Sequence, residues 1–303
     1  MKTIIEKFND PQQLSYELQK RKKDVFFWIA AITIVTFITI FISSNDYSFL
    51  LVLSALAQMF AFIIVLIKIY SIQNSSGLSV NTLICYALLL TARLFTNLLF
   101  SGYLPSDNSG DWFYQLTEFI SLLCVLLLIF LTLKVYKETS DYKNDKVPFY
   151  YLAIPTFILA CIVHTSLNGF LPTDITWSFS MYLEAVAIFP QIQLFVVKQG
   201  QIETYTSHYV ALCGLSRFLS LIFWWDTYPE LNTEEGNSIS LFCGYCGYFI
   251  IASQVIQLLI MLDYYYLYFK SLFKGESMNK ILTFSLNKNM KKFNLISQKN
   301  III

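Results

Sequence analysis

The chain runs to 303 residues, of which 56% are hydrophobic, 17% aromatic and only 14% charged. Soluble domains carry about 25% charged residues, so this one cannot cover a water-facing surface, and a net charge of +1 excludes a bulk attraction to nucleic acid. Ten glycines and seven prolines over that length exclude collagen-like and low-complexity readings, leaving an all-α polytopic membrane protein with the lipid bilayer as its solvent.

A membrane-crossing helix needs about 20 mostly apolar residues. Such runs predict eight spans, at 25–43, 48–70, 80–101, 112–134, 148–165, 174–197, 206–225 and 239–267. The first follows a polar stretch, lacks a small-residue cleavage site and is long enough to cross, so it reads as a span rather than a removed leader. Residues 1–24 and 270–303 read as basic tails.

The basic residues orient the set. Of the 21 Lys and Arg residues, 19 fall on one side of the eight-span arrangement: six before residue 24, Lys68, four between 134 and 146, Lys198, and seven from Lys270 onward. The opposite loops hold acids such as Asp46, Asp107, Asp111, Asp174, Asp226 and Glu230, and no Lys or Arg. An excess of Lys and Arg marks the cytosolic side, so both termini are expected there.

The two remaining basic residues, Arg93 and Arg217, lie inside spans three and seven. A charge at the bilayer centre costs at least ~2.5 kcal/mol and normally faces a partner or a wet cavity. The candidate counter-charges are Glu118, Asp174, Glu184 and Asp263. Two readings stay open at this point: a structural ion pair with no ligand, or a cavity for an anion or carboxylate. Residues three, four or seven apart line one stripe of a helix. Asp174, Trp177, Met181 and Glu184 follow that spacing, as do Arg217, Ser220 and Trp224, then Arg93, Asn97 and Phe100, with Ser54 and Gln58 as a further polar pair. Taken singly, Trp177 and Trp224 fit an interfacial aromatic belt. Their alignment with charged residues favours a specific, wet pocket.

Little argues for chemistry. Cys243 and Cys246 have CxxC spacing within a predicted span but no nearby His, which reads as small-residue helix packing rather than a metal or redox site. His164, near the lumenal end of span five, and His208, near the start of span seven, are too isolated to form a metal site. No phosphate-binding glycine loop, HExxH or GxSxG is present, so neither a cofactor, a metal nor catalysis is expected.

The run Trp177-Ser-Phe-Ser-Met-Tyr-Leu-Glu-Ala-Val-Ala-Ile-Phe-Pro-Gln191 resembles the signature of the ER lumen protein-retaining (KDEL) receptors. Ser207-His-Tyr209, Gly214, the stretch from Arg217 to Trp224, Gly77-Leu-Ser79, Thr91-Ala-Arg93, Asp263-Tyr-Tyr-Tyr-Leu-Tyr268 and Phe273-Lys-Gly275 continue the likeness. The resemblance implies a seven-span domain over 48–269, built as a SWEET/PQ-loop-like arrangement of two three-helix bundles joined by a linker helix. The run 25–43 would be one additional N-terminal transmembrane helix, as in the plant-type receptor-related branch. It further implies residence in endoplasmic reticulum and Golgi membranes, and binding of the C-terminal Lys/His-Asp-Glu-Leu retrieval peptide of lumenal proteins. Arg93, Asp174, Trp177, Glu184, Arg217 and Trp224 match ligand-site or core polar positions. Asp263, Lys270 and Lys274 match the trafficking end of the last span, where cytosolic lysines recruit coat proteins.

The departures bear on the ligand. The family's pH-sensing His falls at Gln58, and two of its arginines fall at Leu51 and near Thr227, while tyrosines beside the core Arg become Ser216 and Ser220. These changes imply reduced or altered peptide affinity and a weak pH response carried mainly by Asp174 and Glu184, with His164 exposed at the cavity mouth. The alternative functions are a structural subunit or scaffold of a membrane complex and a SWEET-like small-molecule transporter.

Overall fold

Burial in the described residues departs from that of a water-soluble protein. Gln58, Arg93, Glu118, Glu184 and Arg217 are buried, while Phe95, Leu98, Phe119, Leu123, Phe218 and Leu259 are exposed. Large apolar side chains outside and charges inside suit a helical bundle in lipid, where polar groups must find partners internally. The computed structural model describes residues 48–100, 111–198, 204–232 and 243–274. The predicted span at 25–43, the N-terminal tail and the C-terminal tail beyond 274 lie outside the described residues.

Eight α-helices occupy these segments: α1 (Ser48–Ile72), α2 (Val80–Leu99), α3 (Asp111–Phe130), α4 (Tyr150–Ile162), α5 (Leu171–Val186), α6 (Phe189–Val197), α7 (Thr204–Thr227) and α8 (Cys246–Lys274). Among the described residues, five stretches are long and apolar enough to cross a membrane: Phe49–Ile72, Val80–Leu99, Asp111–Val135, Leu171–Val197 and Cys246–Lys270. The protein is therefore polytopic.

Three predicted spans differ from the helices in extent or continuity. The fifth, at 148–165, is only the 13-residue α4, about 20 Å long at 1.5 Å per residue, because the chain turns extended at Val163. The sixth, at 174–197, is two helices. Pro190 is the second residue of α6; it offers no backbone N–H and crowds the carbonyl four residues back, so the helix breaks at Ala187–Ile188. The eighth begins later than expected, since Cys243 opens a 3-10 turn and Cys246 is the first residue of α8.

Each helix has local causes. Ser79 caps α2, its hydroxyl accepting from the Thr82 amide, a contact that satisfies one of the free donors of the first turn. α1 packs against α3 and α7, α2 against α3 and α5, α8 against α5 and α7, and α4 lies along α5. At Gly214 the approach of α7 to α8 leaves no room for a side chain: an added Cβ would sit 1.7 Å from the Tyr265 hydroxyl, which donates to the Ala211 carbonyl at 2.8 Å. At Gly247 a Cβ would meet the Tyr228 carbonyl oxygen at 2.3 Å. Small-residue packing, expected for the CxxC neighbourhood, is thus present one residue beyond Cys246.

The interior holds two apolar clusters. One includes Phe62, Tyr86, Leu128, Tyr209 and Met261, the other Leu56, Trp177, Phe223, Trp224 and Ile250. Polar residues separate them along the helices: Gln58 on α1, Ser216, Arg217 and Ser220 on α7, and Ser253, Gln254 and Gln257 on α8, all buried.

The end of the bundle that carries Lys68, Lys198 and the 134–146 loop is tied by a hydrogen-bonded strap. Lys68 is a buried residue of α1, not a loop lysine; its Nζ donates to the Ser76 carbonyl at 2.6 Å and to Thr206 Oγ1 at 3.1 Å. Gln191 joins α6 to the turn before α2, donating to the Gly77 carbonyl at 2.8 Å and accepting from the Ser79 amide at 2.9 Å. Lys198 pairs with Asp141 at 2.5 Å, whose carboxylate also accepts from the Gly77 amide at 2.6 Å and the Ser76 hydroxyl at 3.0 Å. Partial burial pushes the Asp141 carboxyl up, but Lys198 and the donors of Gly77 and Ser76 outweigh it and hold the group below its ordinary value. A folded-state value below the unfolded one gives stability that is present above about pH 4 and lost as pH falls through the folded value. Melting of the wild-type protein between pH 5 and pH 3 should therefore fall more steeply than that of Asp141→Asn, with Asp141→Asn the less stable at pH 7. Parallel pH profiles for the two would show that the strap contributes nothing.

Candidate functional site

The site follows from where helical periodicity puts the few ionisable residues of the apolar runs. Arg93 lies on the buried face of α2, Glu118 on that of α3, Glu184 near the end of α5, and Arg217 at the middle of α7. None can leave its helix for water, so each must meet another across the bundle.

They do so around Glu184. Its carboxylate is bridged by two guanidinium groups, Arg93 from α2 and Arg217 from α7, each in direct ion-pair contact. Arg93 Nη1 donates a second bond to Glu184 at 3.4 Å and also reaches Glu118 at 3.3 Å. Glu118 accepts from the Tyr114 hydroxyl at 2.9 Å and from Asn97 Nδ2 at 3.4 Å. Arg217 Nη2 donates to Gln58 at 2.6 Å and to the Ser216 hydroxyl at 2.8 Å, and Ser216 lies 3.1 Å from Ser54. Two arginines thus meet two glutamates, and the cluster is neutral as a whole when all four are ionised.

A cavity of about 20 Å³ opens beside this cluster, room for little more than one water. Arg93, Glu118, Glu184, Arg217, Trp177 and Trp224 all contribute to its wall. Both tryptophans are buried, and their rings meet edge to face with centroids 5.8 Å apart. The interfacial-belt reading therefore fails for both; the exposed indole on α7 is that of the neighbouring Trp225. Among the described residues, Arg93 Nε and Trp224 Nε1 have no hydrogen-bond partner although both are buried. Two unanswered donors at a cavity wall ask for an acceptor.

These contacts decide which relatives are informative. A profile of the ER lumen protein retaining receptor family matches residues 74–227, a stretch that contains α2 to α7 and both arginines. The chain belongs to that family. The family is one of receptors, not enzymes. Curated relatives extend the likeness: the ER lumen protein-retaining receptor 3 of Mus musculus is 29% identical over 228 residues, covering 75% of this chain and 95% of its own length. The ER lumen protein-retaining receptor 2 of Homo sapiens and that of Gallus gallus are each 29% identical over 225 residues, 74% of this chain and 94% of theirs.

Within this family framework, five of the six expected ligand-site residues, Arg93, Trp177, Glu184, Arg217 and Trp224, line one cavity. Asp174 does not; it is buried in the first turn of α5, beyond the cavity wall. Phe100 leaves the stripe as well, stacking on Phe170 at 6.1 Å. His164 is buried rather than exposed at the mouth, its Nδ1 lying 3.0 Å from the Thr165 carbonyl oxygen. At the far end of α8, Asp263 is exposed and Lys270 rests over the Tyr266 ring at 5.5 Å; the side chain of Lys274 lies outside the described residues. Among the described residues no cluster of His, Cys, Asp and Glu could hold a metal ion. Tyr114 and Ser121 join the cavity wall without having been singled out. The signal for Tyr114 was available, since it sits one helical turn before Glu118.

Proposed function

We propose that this protein is a retrieval-type receptor of endoplasmic reticulum and Golgi membranes that takes the C-terminal carboxylate of a short lumenal peptide at the arginine cavity. The observation that carries the reading is the convergence of Arg93 and Arg217 on one cavity wall where Arg93 Nε and Trp224 Nε1 are unpartnered. Bidentate guanidinium contacts suit a carboxylate, and a buried indole N–H adds a directional donor.

The helix contacts support a two-bundle architecture over 48–269. In α1–α2–α3 the third helix packs on both others, and in α5–α7–α8 so does the last. The triplets meet through α1 with α7 and α2 with α5, first helix to second in both directions, as a repeat pair joined by α4 would. Counting α5 with α6 as one crossing gives seven, and the run at 25–43 is then an added span with both termini cytosolic. Lys270 and Lys274 stand where coat recruitment by cytosolic lysines would occur.

Gln58 accepts a 2.6 Å hydrogen bond from Arg217, and an amide there does not titrate between pH 5 and 8 as a histidine would. Peptide affinity should therefore vary with pH less than a histidine switch allows. The closed ion-pair cluster gives a second reading its one support: a structural subunit whose arginines serve packing alone. Binding separates the two. A peptide ending in Lys-Asp-Glu-Leu and its C-terminal amide are titrated into the full chain in nanodiscs at pH 5.5 and 7.4. The receptor reading expects the free acid to bind about tenfold or more tightly than the amide, the worth of one charge-assisted bond. Equal behaviour of acid and amide at both pH values supports the structural subunit instead.

A further inference from the structure

We propose that Glu118 is a built-in competitor for the ligand: its carboxylate occupies, on Arg93, the place that an incoming peptide carboxylate takes, so that binding is an exchange of one carboxylate for another. The inference rests on the receptor reading above and adds what regulates its affinity.

The two glutamates are held very differently. Glu184 is held by both arginines, which meet at its Oε2, and its removal would leave two guanidinium groups without their central partner. Among the described residues, Glu118 touches one arginine only, through a single contact of 3.3 Å, at the long end of hydrogen-bonding range. Of the two acids on Arg93, Glu118 is the one that can be exchanged.

Its surroundings make the exchange tolerable. When Arg93 turns to another carboxylate, Glu118 keeps the Tyr114 hydroxyl at 2.9 Å and the Asn97 amide at 3.4 Å, so it is not left as a bare buried charge. The helix that carries it, α3, is the least buried of the five membrane-length stretches. Movement of Glu118 therefore disturbs fewer packed neighbours than movement of Glu184 on α5.

Size points the same way. With Glu118 in place the cavity measures about 20 Å³, too small for a carboxylate beside it. Withdrawal of Glu118 frees Arg93 Nη1, and the same guanidinium keeps a further unpartnered donor at Nε, on the edge that Nε shares with Nη2. A peptide that brings its carboxylate to Nη1 and a second acceptor to Nε answers both donors, which Glu118 does not do.

The test uses the full chain in nanodiscs at pH 7.4, with a fluorescein-labelled peptide ending in Lys-Asp-Glu-Leu and its C-terminal amide as probes. Glu118→Gln keeps size and removes charge; Glu118→Asp keeps charge and draws it back from Arg93 by one methylene. Both variants leave Arg93 paired with Glu184, and monodispersity on gel filtration verifies folding. Glu118→Gln should bind the free acid about tenfold more tightly than wild type, the weak end of what a charge-assisted bond is worth, with the amide unchanged. Glu118→Asp should shift in the same direction by less, and it carries the test alone if the glutamine variant does not fold. Wild type that prefers acid over amide, with folded variants that bind no more tightly, overturns the competitor and leaves the receptor reading intact. Indifference between acid and amide in wild type and variants alike removes the receptor reading and the competitor together.

Discussion

Glu184→Ala should be among the most destabilising single substitutions in the chain. The carboxylate is fully buried and is the common partner of Arg93 and Arg217, so its loss strands positive charge inside a low-dielectric bundle. Breaking a buried pair by removing one partner costs about 3–5 kcal/mol, a large share of a typical folding free energy. For a chain of this size that corresponds to roughly 10 °C or more in melting temperature. A double variant, Glu184→Leu with Arg217→Met, should recover much of the loss, because Arg93 keeps Glu118 and the remaining positions become apolar. Thermal unfolding of the detergent-solubilised variants, followed by gel filtration, measures both. Wild-type melting in Glu184→Ala would mean that the cluster does not hold α2, α5 and α7 together.

The second large effect is expected at Gly247, and the comparison with Gly214 makes it diagnostic. The nearest atom to an added Cβ is closer at Gly214, 1.7 Å against 2.3 Å. Yet at Gly214 that atom is the tip of the Tyr265 side chain, which can swing aside by giving up its bond to the Ala211 carbonyl. At Gly247 it is the backbone carbonyl of Tyr228, in the 3-10 turn Tyr228–Leu231 that follows α7, and Asn232 also holds the Gly247 amide at 2.8 Å. Backbone cannot rotate away, so the start of α8 must move. Overpacking of this kind costs about 1–3 kcal/mol. Gly247→Ala should therefore melt lower than Gly214→Ala, and the reverse order in thermal unfolding would show that the α7–α8 approach at Gly214 is the tighter constraint.

The arginines and Glu184 were legible in the sequence because a charge inside an apolar run has to be paired, and helical spacing placed Trp177 and Trp224 on the matching faces. Asp174 shares the stripe of Glu184 but stands almost three turns away, where periodicity says nothing of depth. Glu118 was visible as a counter-charge; its particular hold on Arg93 and Tyr114 depends on how α2 and α3 are registered, which no single helix encodes. The helix at 150–162 is shorter than the predicted run because hydropathy does not see where the backbone turns extended. Pro190 did announce the break in the sixth span, since proline cannot donate within a helix, but the flanking apolar residues concealed it. His164 was placed by its position near a span end, and only the folded chain shows that Thr165 and neighbouring residues cover it.

The polar layer between the two apolar clusters gives the molecule a seam. Aliphatic and aromatic side chains on either side attract without a preferred direction and can trade one apolar neighbour for another. Guanidinium and carboxylate groups cannot, because each has a small, countable set of partners: Arg93 with Glu184 and Glu118, Arg217 with Glu184, Gln58 and Ser216. Any motion across the seam must therefore pass between discrete pairings and not along a continuum, the condition under which a small local exchange is amplified into a defined change of shape.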